Sequence, residues 1–542
     1  MLIYNYNIVN MKNIKIIILG CLLSGALIFS SCKKSFTDIP YYGLQTVQNT
    51  GVFQTSAGCI NYVTGCYSAI NQNDWWQTMW ARLIFETATD NGWLGNLGGF
   101  SNAASYRAVG SLESINPTAG DVVGLYQFAY QGIGQCNFGI ANMATATIDA
   151  QLKTRLMAEM RFLRGFFYMD LAKNYGGVPL YTENTKQSEI PLARATIDKV
   201  WAFINADFEF AAANLPQRKN YTTPQDMARA SKGSALAYLA YANLWSGHYD
   251  STVLAASQLM ALNEYQLEPN YGDIFKTAYY NGKESIFEIG SNNLIGNVDP
   301  VTAGSGVDGG WGWHVPSSNL EDAFLNEGDS IRRVNTIIKN GRPVAGDPQV
   351  TSWNGNPSGN TSARNWRKYY IPLAERNPAG QGYNNRWQPK PYIFMRLADL
   401  MLIYAEAAAR KGDAATATTL LNQVRTRVSL TPKTGLSGDA LINAIILEKR
   451  LELSGEYADV RWDDLHRVKV NGITLMSTLF GPNGTYVQWL QTNTDPYDSR
   501  TTLAEVPANK GKLYIPGTND LFPIPQQEIQ AGGGVITQNP GY

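Results

Sequence analysis

The stretch Ala235–Ala256, ALAYLAYANLWSGHYDSTVLAA, aligns without gaps on Leu400–Leu421, LMLIYAEAAARKGDAATATTLL. Ala240 falls on Ala405, Ala242 on Ala407, and Gly247 on Gly412. Small residues on the inner face of one helix let a second helix approach closely, and a glycine between the two permits the reversal. Each stretch therefore reads as a helix, a glycine turn and a second helix. One such pair cannot bury its apolar face alone, so several must stack.

This is the logic of tetratricopeptide-like repeats, of which two units are visible. The expected protein is mostly α-helical, a scaffold of such repeats carrying long irregular loops and few short strands. Upstream, Leu156, Met160, Leu163, Phe167 and Leu171 mark another helix. Gly176-Gly177 stops it, and Val178-Pro179 leaves it extended. From Asn73 onward, Trp76, Met79, Trp80, Leu83 and Ile84 follow the spacing of one buried helical stripe. Between helices lie the Gly/Asn/Ser-rich stretches Asp90–Gly120, Gly290–Gly312 and Gly341–Gly359, which contain Trp93, Trp311 and Trp353. Loops longer than about 15 residues are uncommon in compact domains and are usually functional or disordered.

The 542 residues carry 44 Lys+Arg against 44 Asp+Glu, and charged residues are only 16%. With no basic excess to neutralise phosphates, nucleic-acid binding is excluded as the main role. A hydrophobic content of 44% and a mean hydropathy of -0.22 fit a folded body, not a multi-spanning one. Fifty Gly, 30 Tyr and 13 Trp beside so few charges predict a neutral aromatic surface, suited to an uncharged polar ligand.

The N-terminus carries an address. Lys12 and Lys15 precede an apolar run from Ile16 to Phe29, followed by Ser30-Ser31-Cys32. A positive start, a short apolar segment and small residues before a cut describe a secretory signal over residues 1–31. The first ten residues fit no signal pattern, which makes Met11 an alternative start. Small residues directly before Cys32 resemble a bacterial lipoprotein box, with Phe29 where Leu is usual, and Cys32 is the expected lipidation site. An ordinary secretory cut is the competing reading. Cys21 leaves with the signal, so Cys59, Cys66 and Cys136 remain. Cys59 and Cys66 lie two helical turns apart, roughly 10 Å, too far to bridge each other. No CxxC or Cys/His cluster appears, so neither a metal site nor a cofactor is expected.

Four segments together resemble the SusD/RagB family. They are Ala158–Gly165 continuing to Asn174-Tyr175-Gly176-Gly177-Val178-Pro179-Leu180; Arg396–Leu400 through Tyr404-Ala405-Glu406-Ala407 to Asn422-Gln423-Val424-Arg425; Glu448–Leu453 with Arg461–Arg467; and Leu521-Phe522-Pro523-Ile524-Pro525 with the terminal Gln538-Asn539-Pro540-Gly541-Tyr542. Two departures are the long spacer between Glu456 and Arg461, and Lys449 in place of a common Arg. The resemblance implies a helical fold with four tetratricopeptide-type units and an irregular ligand-binding region. It divides the mature chain into an N-terminal region, 32–230, and a C-terminal region, 231–542. It further implies a lipid-anchored outer-membrane protein that binds a glycan. The partner it implies is a SusC-like TonB-dependent barrel, over which the protein sits as a lid.

The residues give no positive case for catalysis. Glu448, Arg450, Glu452, Arg461, Asp464 and Arg467 read either as paired carboxylates for glycoside hydrolysis or as Arg–carboxylate pairs tying helices together. The second is preferred, because Glu448 and Glu452 sit one turn apart on one helix with no apolar pocket evident. His248, His314 and His466 lie in unrelated segments, which argues against a triad. Aromatics are the better candidates, since sugar rings pack their C–H faces on indole and phenol rings. Trp93, just past Asp90-Asn91-Gly92, is the first choice for stacking a sugar, with packing of the loop itself as the alternative. Trp311 and Trp313 would face one side if extended; Trp75 points away from the buried stripe; Tyr280, with Tyr279, opens the Gly290–Gly312 region. Peptide cargo in the same kind of importer, or a helical glycosidase, are the alternative functions.

Overall fold

Leu156, Met160, Leu163, Phe167 and Leu171 are fully buried along a helix of 26 residues, Ala150–Tyr175. Asp149 starts it by accepting the Leu152 amide at 2.8 Å. Each such Phe or Leu contributes about 2–3 kcal/mol by leaving water. The structure, a computed structural model, describes residues 50–70, 84–94, 108–112, 115–290, 314–339, 343–344, 347, 362, 364–376, 390–456, 459–487 and 510–542. All of them belong to one compact unit, Gly43–Tyr542. The stretch 71–83, and with it most of the predicted tryptophan stripe, lies outside the described residues, although Ile84 at its end is buried.

In chain order the main helices are α1 (Ser56–Tyr67), α2 (Gly120–Thr145), α3 (Ala150–Tyr175), α4 (Ile197–Asn214), α5 (Lys232–Trp245), α6 (Tyr249–Met260), α7 (Ser318–Glu327), α8 (Ser330–Thr336), α9 (Leu397–Arg410), α10 (Ala414–Arg427), α11 (Gly438–Leu453) and α12 (Val460–Arg467). Consecutive helices α2 to α6 pack each on the next, and α6 packs on α9, so the array continues across the intervening loops.

The two aligned stretches fold alike. The pairs α5–α6 and α9–α10 turn at Gly247 and Gly412, with φ of 78° and 85°. In the first turn the His248 amide reaches the Asn243 carbonyl at 2.8 Å; in the second, the Asp413 amide reaches Ala408 at 2.9 Å. Ala240, Ala242, Ala405 and Ala407 are all fully buried, as close helix approach requires.

The ends of the resemblance segments meet in space. Asn539 Nδ2 donates to the carbonyls of Tyr175 (3.1 Å) and Phe522 (2.7 Å), while the Phe522 amide donates to Asn174 (2.7 Å). The C-terminus is thereby latched onto the end of α3. Strands are short and paired only in twos, all antiparallel: β1 (Gly92–Leu94) with β3 (His314–Pro316), β2 (Ser285–Ile289) with β6 (Tyr392–Arg396), β4 (Ile337–Lys339) with β5 (Arg364–Trp366), and β7 (Lys469–Val470) with β8 (Ile473–Thr474). Among the described residues no helix is long and apolar enough to cross a membrane.

On the repeat helix α9, Asp399 is buried with neither carboxylate oxygen hydrogen-bonded. Burial pushes its carboxyl up to about 7, outweighing the pull of Lys449 and Arg396. An acid raised from about 3.8 costs stability progressively as pH rises through that interval, because the unfolded chain ionises first. Asp399→Asn is therefore expected to stabilise the protein by an amount that grows from pH 4 to pH 8, reaching about 4 kcal/mol. Urea midpoints across that pH series check this; a gain independent of pH would contradict it.

Candidate functional site

The strands β1 and β3 bring two distant parts of the chain together. Gly92 pairs with Pro316, Trp93 with Val315 and Leu94 with His314. The stretch that begins at residue 95 and the stretch that ends at residue 313 therefore depart from adjacent strand ends. Two more loop boundaries join them. Asn319 Nδ2 donates to the Val487 carbonyl at 3.2 Å, and Lys510 Nζ donates to the carbonyls of Thr87, Thr89 and Gly92 at 2.7, 2.6 and 2.6 Å. Gly511, next in the chain, donates its amide to Ser111 at 2.8 Å. The flanks of 95–107, 291–313 and 488–509 thus share one base.

Charge fixes that base. Arg461 of α12 grips Asp90 with two hydrogen bonds of 2.7 Å, and Arg450 of α11 approaches the same carboxylate at 3.2 Å. Burial alone would raise the Asp90 carboxyl, but Arg450 and Arg461 outweigh it and hold the group well below the usual range. Arg450 also donates to Asn91 Oδ1 at 2.7 Å and to Asn319 Oδ1 at 2.8 Å. The Asn91 carbonyl accepts the Ser317 amide at 2.7 Å. Gly92 must be glycine, since a Cβ there would lie 2.4 Å from the Glu86 carbonyl oxygen. Burial pulls the Lys510 ammonium down to about 7, against the pull of Asp90 and Glu86, while its three carbonyl partners hold the protonated form.

Trp93 is not an open surface ring in this arrangement. It is 5% exposed and packs with Val315 and Tyr486, and the Lys510 ammonium lies 5.7 Å from its centroid. The residue expected in a loop is a strand residue, and its ring packs inside this base. Tyr280 is 39% exposed and lies against Gly290, the residue before the 291–313 stretch. Trp75, Trp311, Trp313 and Cys32 lie outside the described residues, as does Trp353. Asp90, Asn91, Tyr486 and Lys510 were not singled out as a group from the sequence. Asp90 and its partner Arg461 stand 371 positions apart, and no local pattern links them.

The cluster read as helix-tying pairs has that form. Glu452 of α11 receives Arg332 from α8 at 3.0 Å, Arg396 from β6 at 2.5 Å, and Arg427 from α10. Burial works to raise its carboxyl, and the three guanidinium groups overcome this and hold it well below the usual range. Glu448 pairs with Arg332 and Arg425, each at 2.7 Å. Both carboxylates are fully buried, so a sugar cannot reach them. Lys449, where Arg is common, reaches Asp464 at 2.7 Å. Glu456, beside the long spacer, pairs with Arg396 at 2.8 Å and Lys368 at 2.7 Å. Cys59, Cys66 and Cys136 are buried free thiols. His314 Nδ1 meets Thr87 Oγ1 at 2.7 Å, and His466 Nδ1 meets the Trp462 carbonyl at 2.8 Å; both rings are packed in the scaffold.

Two family models match the chain. One, described as the SusD family, covers residues 272–542; the other, described as starch-binding associating with outer membrane, covers residues 45–244. A SusD-like protein of Formosa agariphila is 27% identical over 525 residues, covering 90% of this chain and 93% of that protein. A SusD-like protein of Bacteroides ovatus is 24% identical over 378 residues, covering 63% and 64%. Among solved structures, a laminarin binding SusD-like protein superposes with a TM-score of 0.70 at 23% identity, covering 90% of this chain and 99% of that one. Surface glycan-binding protein A from Bacteroides thetaiotaomicron in complex with laminarihexaose gives 0.68 at 20% identity, covering 89% and 98%. At such identities the likeness to solved structures is one of fold.

Proposed function

This chain belongs to the SusD family, and from that premise we propose that it is a surface-exposed outer-membrane lipoprotein that captures a glycan and hands it to a SusC-like TonB-dependent barrel without cleaving it. The observation that carries this reading is the base shared by the flanks of the stretches 95–107, 291–313 and 488–509, packed on Trp93 and fixed by Asp90, Arg450, Arg461 and Lys510. Trp311, Trp313 and Trp75 supply the stacking faces, and Tyr280 lies at the other end of the 291–313 stretch. Laminarin and laminarihexaose, named for two structural relatives, favour an oligo- or polysaccharide as cargo. The burial of Glu448 and Glu452 among arginines favours binding over hydrolysis.

Residues 1–31 are the leader in this reading, and acylated Cys32 is the first mature residue. Each acyl CH₂ contributes about 0.8 kcal/mol of membrane affinity, so several chains hold the protein there essentially permanently. The mature chain comprises the regions 32–230 and 231–542, and the repeat helices form the surface docked on the barrel. Cys32→Ser is expected to abolish palmitate labelling and release the protein from the membrane fraction. It should also remove the barrel from detergent extracts purified through this chain. Retention of the label in that variant would contradict the anchor, and a wild-type extract without a barrel would contradict the partnership.

A further inference from the structure

A polar pocket of about 160 Å³ opens between three elements: the short 3-10 helix Tyr271–Phe275, the end of α8, and the turn after β5. Its walls include Asp273, Phe275, Lys276, Asn335, Arg367 and Tyr370. These elements are tied together where the pocket forms. The Arg367 amide donates to the Thr336 carbonyl at 2.7 Å, and Gly272 lacks the Cβ that would lie 2.4 Å from Asn335 Oδ1. Asn335 Nδ2 donates to the Ile331 carbonyl at 2.9 Å, while Asp273 receives Lys276 at 2.6 Å and Asn270 at 3.2 Å. The Arg367 guanidinium lies 5.2 Å from the centre of the Tyr370 ring, whose hydroxyl donates to Asp347 at 2.6 Å. None of these residues belongs to the base that holds Trp93. A strand nevertheless joins the two places: Trp366 of β5, which precedes Arg367, packs on His314 of β3 with 5.0 Å between ring centres.

Size, surface and charge say what such a pocket takes. A cavity of about 150 Å³ admits benzene, so this one has room for a single six-membered ring. Phe275 and Tyr370 offer apolar ring surface, and Asp273, Lys276, Asn335 and Arg367 offer donors and acceptors, a combination that suits a pyranose. Among the described lining residues two cations stand against one carboxylate, which favours an anionic ring over a neutral one. A guanidinium matches the oxygens of an anionic group with paired hydrogen bonds. We propose that this pocket is a subsite for one acidic sugar of the captured glycan, its carboxylate or sulfate ester held by Arg367 and Lys276 and its hydroxyls by Asp273 and Asn335. That the cargo is a glycan rests on the reading above; the preference for an anionic ring rests on this pocket.

The test titrates the full chain with oligogalacturonate, with sulfated carrageenan oligosaccharides, with neutral laminarihexaose and with inorganic sulfate. One acidic class is expected to bind about tenfold tighter than the neutral hexamer, and more weakly as salt is added. A response to oligogalacturonate alone assigns a uronate, and a response to carrageenan alone assigns a sulfate ester. Arg367→Gln should cost that class about tenfold or more, the worth of a charged hydrogen bond, and Lys276→Ala about two- to fivefold. The Lys276 side chain is 64% exposed, so its variant keeps the fold and decides the matter should Arg367→Gln lower the melting midpoint. Acidic oligosaccharides bound no tighter than laminarihexaose, or bound equally well by both variants, would overturn the subsite. Inorganic sulfate bound as tightly as the oligosaccharides would overturn it too, since no sugar would then be recognised. Retention by a neutral polysaccharide in a native affinity gel would in those cases leave glycan capture standing, whereas no retention by any polymer would overturn both.

Discussion

Glu452→Leu is expected to lower stability by about 3–5 kcal/mol, because it strands buried guanidinium groups of Arg332, Arg396 and Arg427 that converge on one carboxylate. These arginines come from α8, β6 and α10, so the carboxylate ties three elements to α11. Leucine nearly fills the volume but cannot compensate charge in a buried site. The matched control is Asp250→Ala. Asp250 pairs with Lys411 across the two repeat units, yet its side chain is 87% exposed. Exposed pairs of that kind are worth about 0–1 kcal/mol. Denaturant midpoints of the two variants should differ by several-fold in their displacement from wild type. Equal displacements would mean that the buried network does not hold the scaffold together.

The double variant Trp311→Ala, Trp313→Ala is expected to lose glycan affinity by a factor of about 30 to 1000, the range of truncated binding hot spots, with an unchanged denaturant midpoint. Trp93→Ala should behave differently. Its ring is packed with Val315 and Tyr486, and emptying such a site costs about 3–5 kcal/mol of stability. Binding and midpoint should therefore fall together in that variant. Titration of each purified variant with the cognate polysaccharide, beside its melting curve, separates a stacking residue from a supporting one. If the double variant binds as wild type does, the stacking role assigned to Trp311 and Trp313 is wrong.

The helical scaffold was legible because its signals are local and periodic. Leu156 to Leu171 repeats at helical spacing, and Gly247 and Gly412 mark reversals by a backbone conformation that favours glycine. The arginine–carboxylate cluster was legible in kind, since charges at such density on an apolar helix must pair when buried. Its partners were not. Arg461 meets Asp90, and Arg396 meets Glu284, Glu452 and Glu456, through contacts that only the completed fold creates. The loop base was hidden for the same reason. β1 and β3 are three residues each, too short to show alternation, and they pair across more than 200 positions. Trp93, just past Asp90-Asn91-Gly92, was expected in a long loop, either stacking a sugar or packing the loop itself. The pairing with Val315 turns that residue inward instead, and Lys510, far along the chain, secures the backbone just before it.

The central claim, capture of a glycan without cleavage, is tested most directly by a native affinity gel. The chain beginning after Cys32 would be run through a panel of plant, host and microbial polysaccharides, with reducing ends assayed in the same incubations. The account predicts retardation by one polymer class and no release of reducing ends. Turnover that survives stringent purification, or free migration through every polymer with retention on a peptide library, would contradict it.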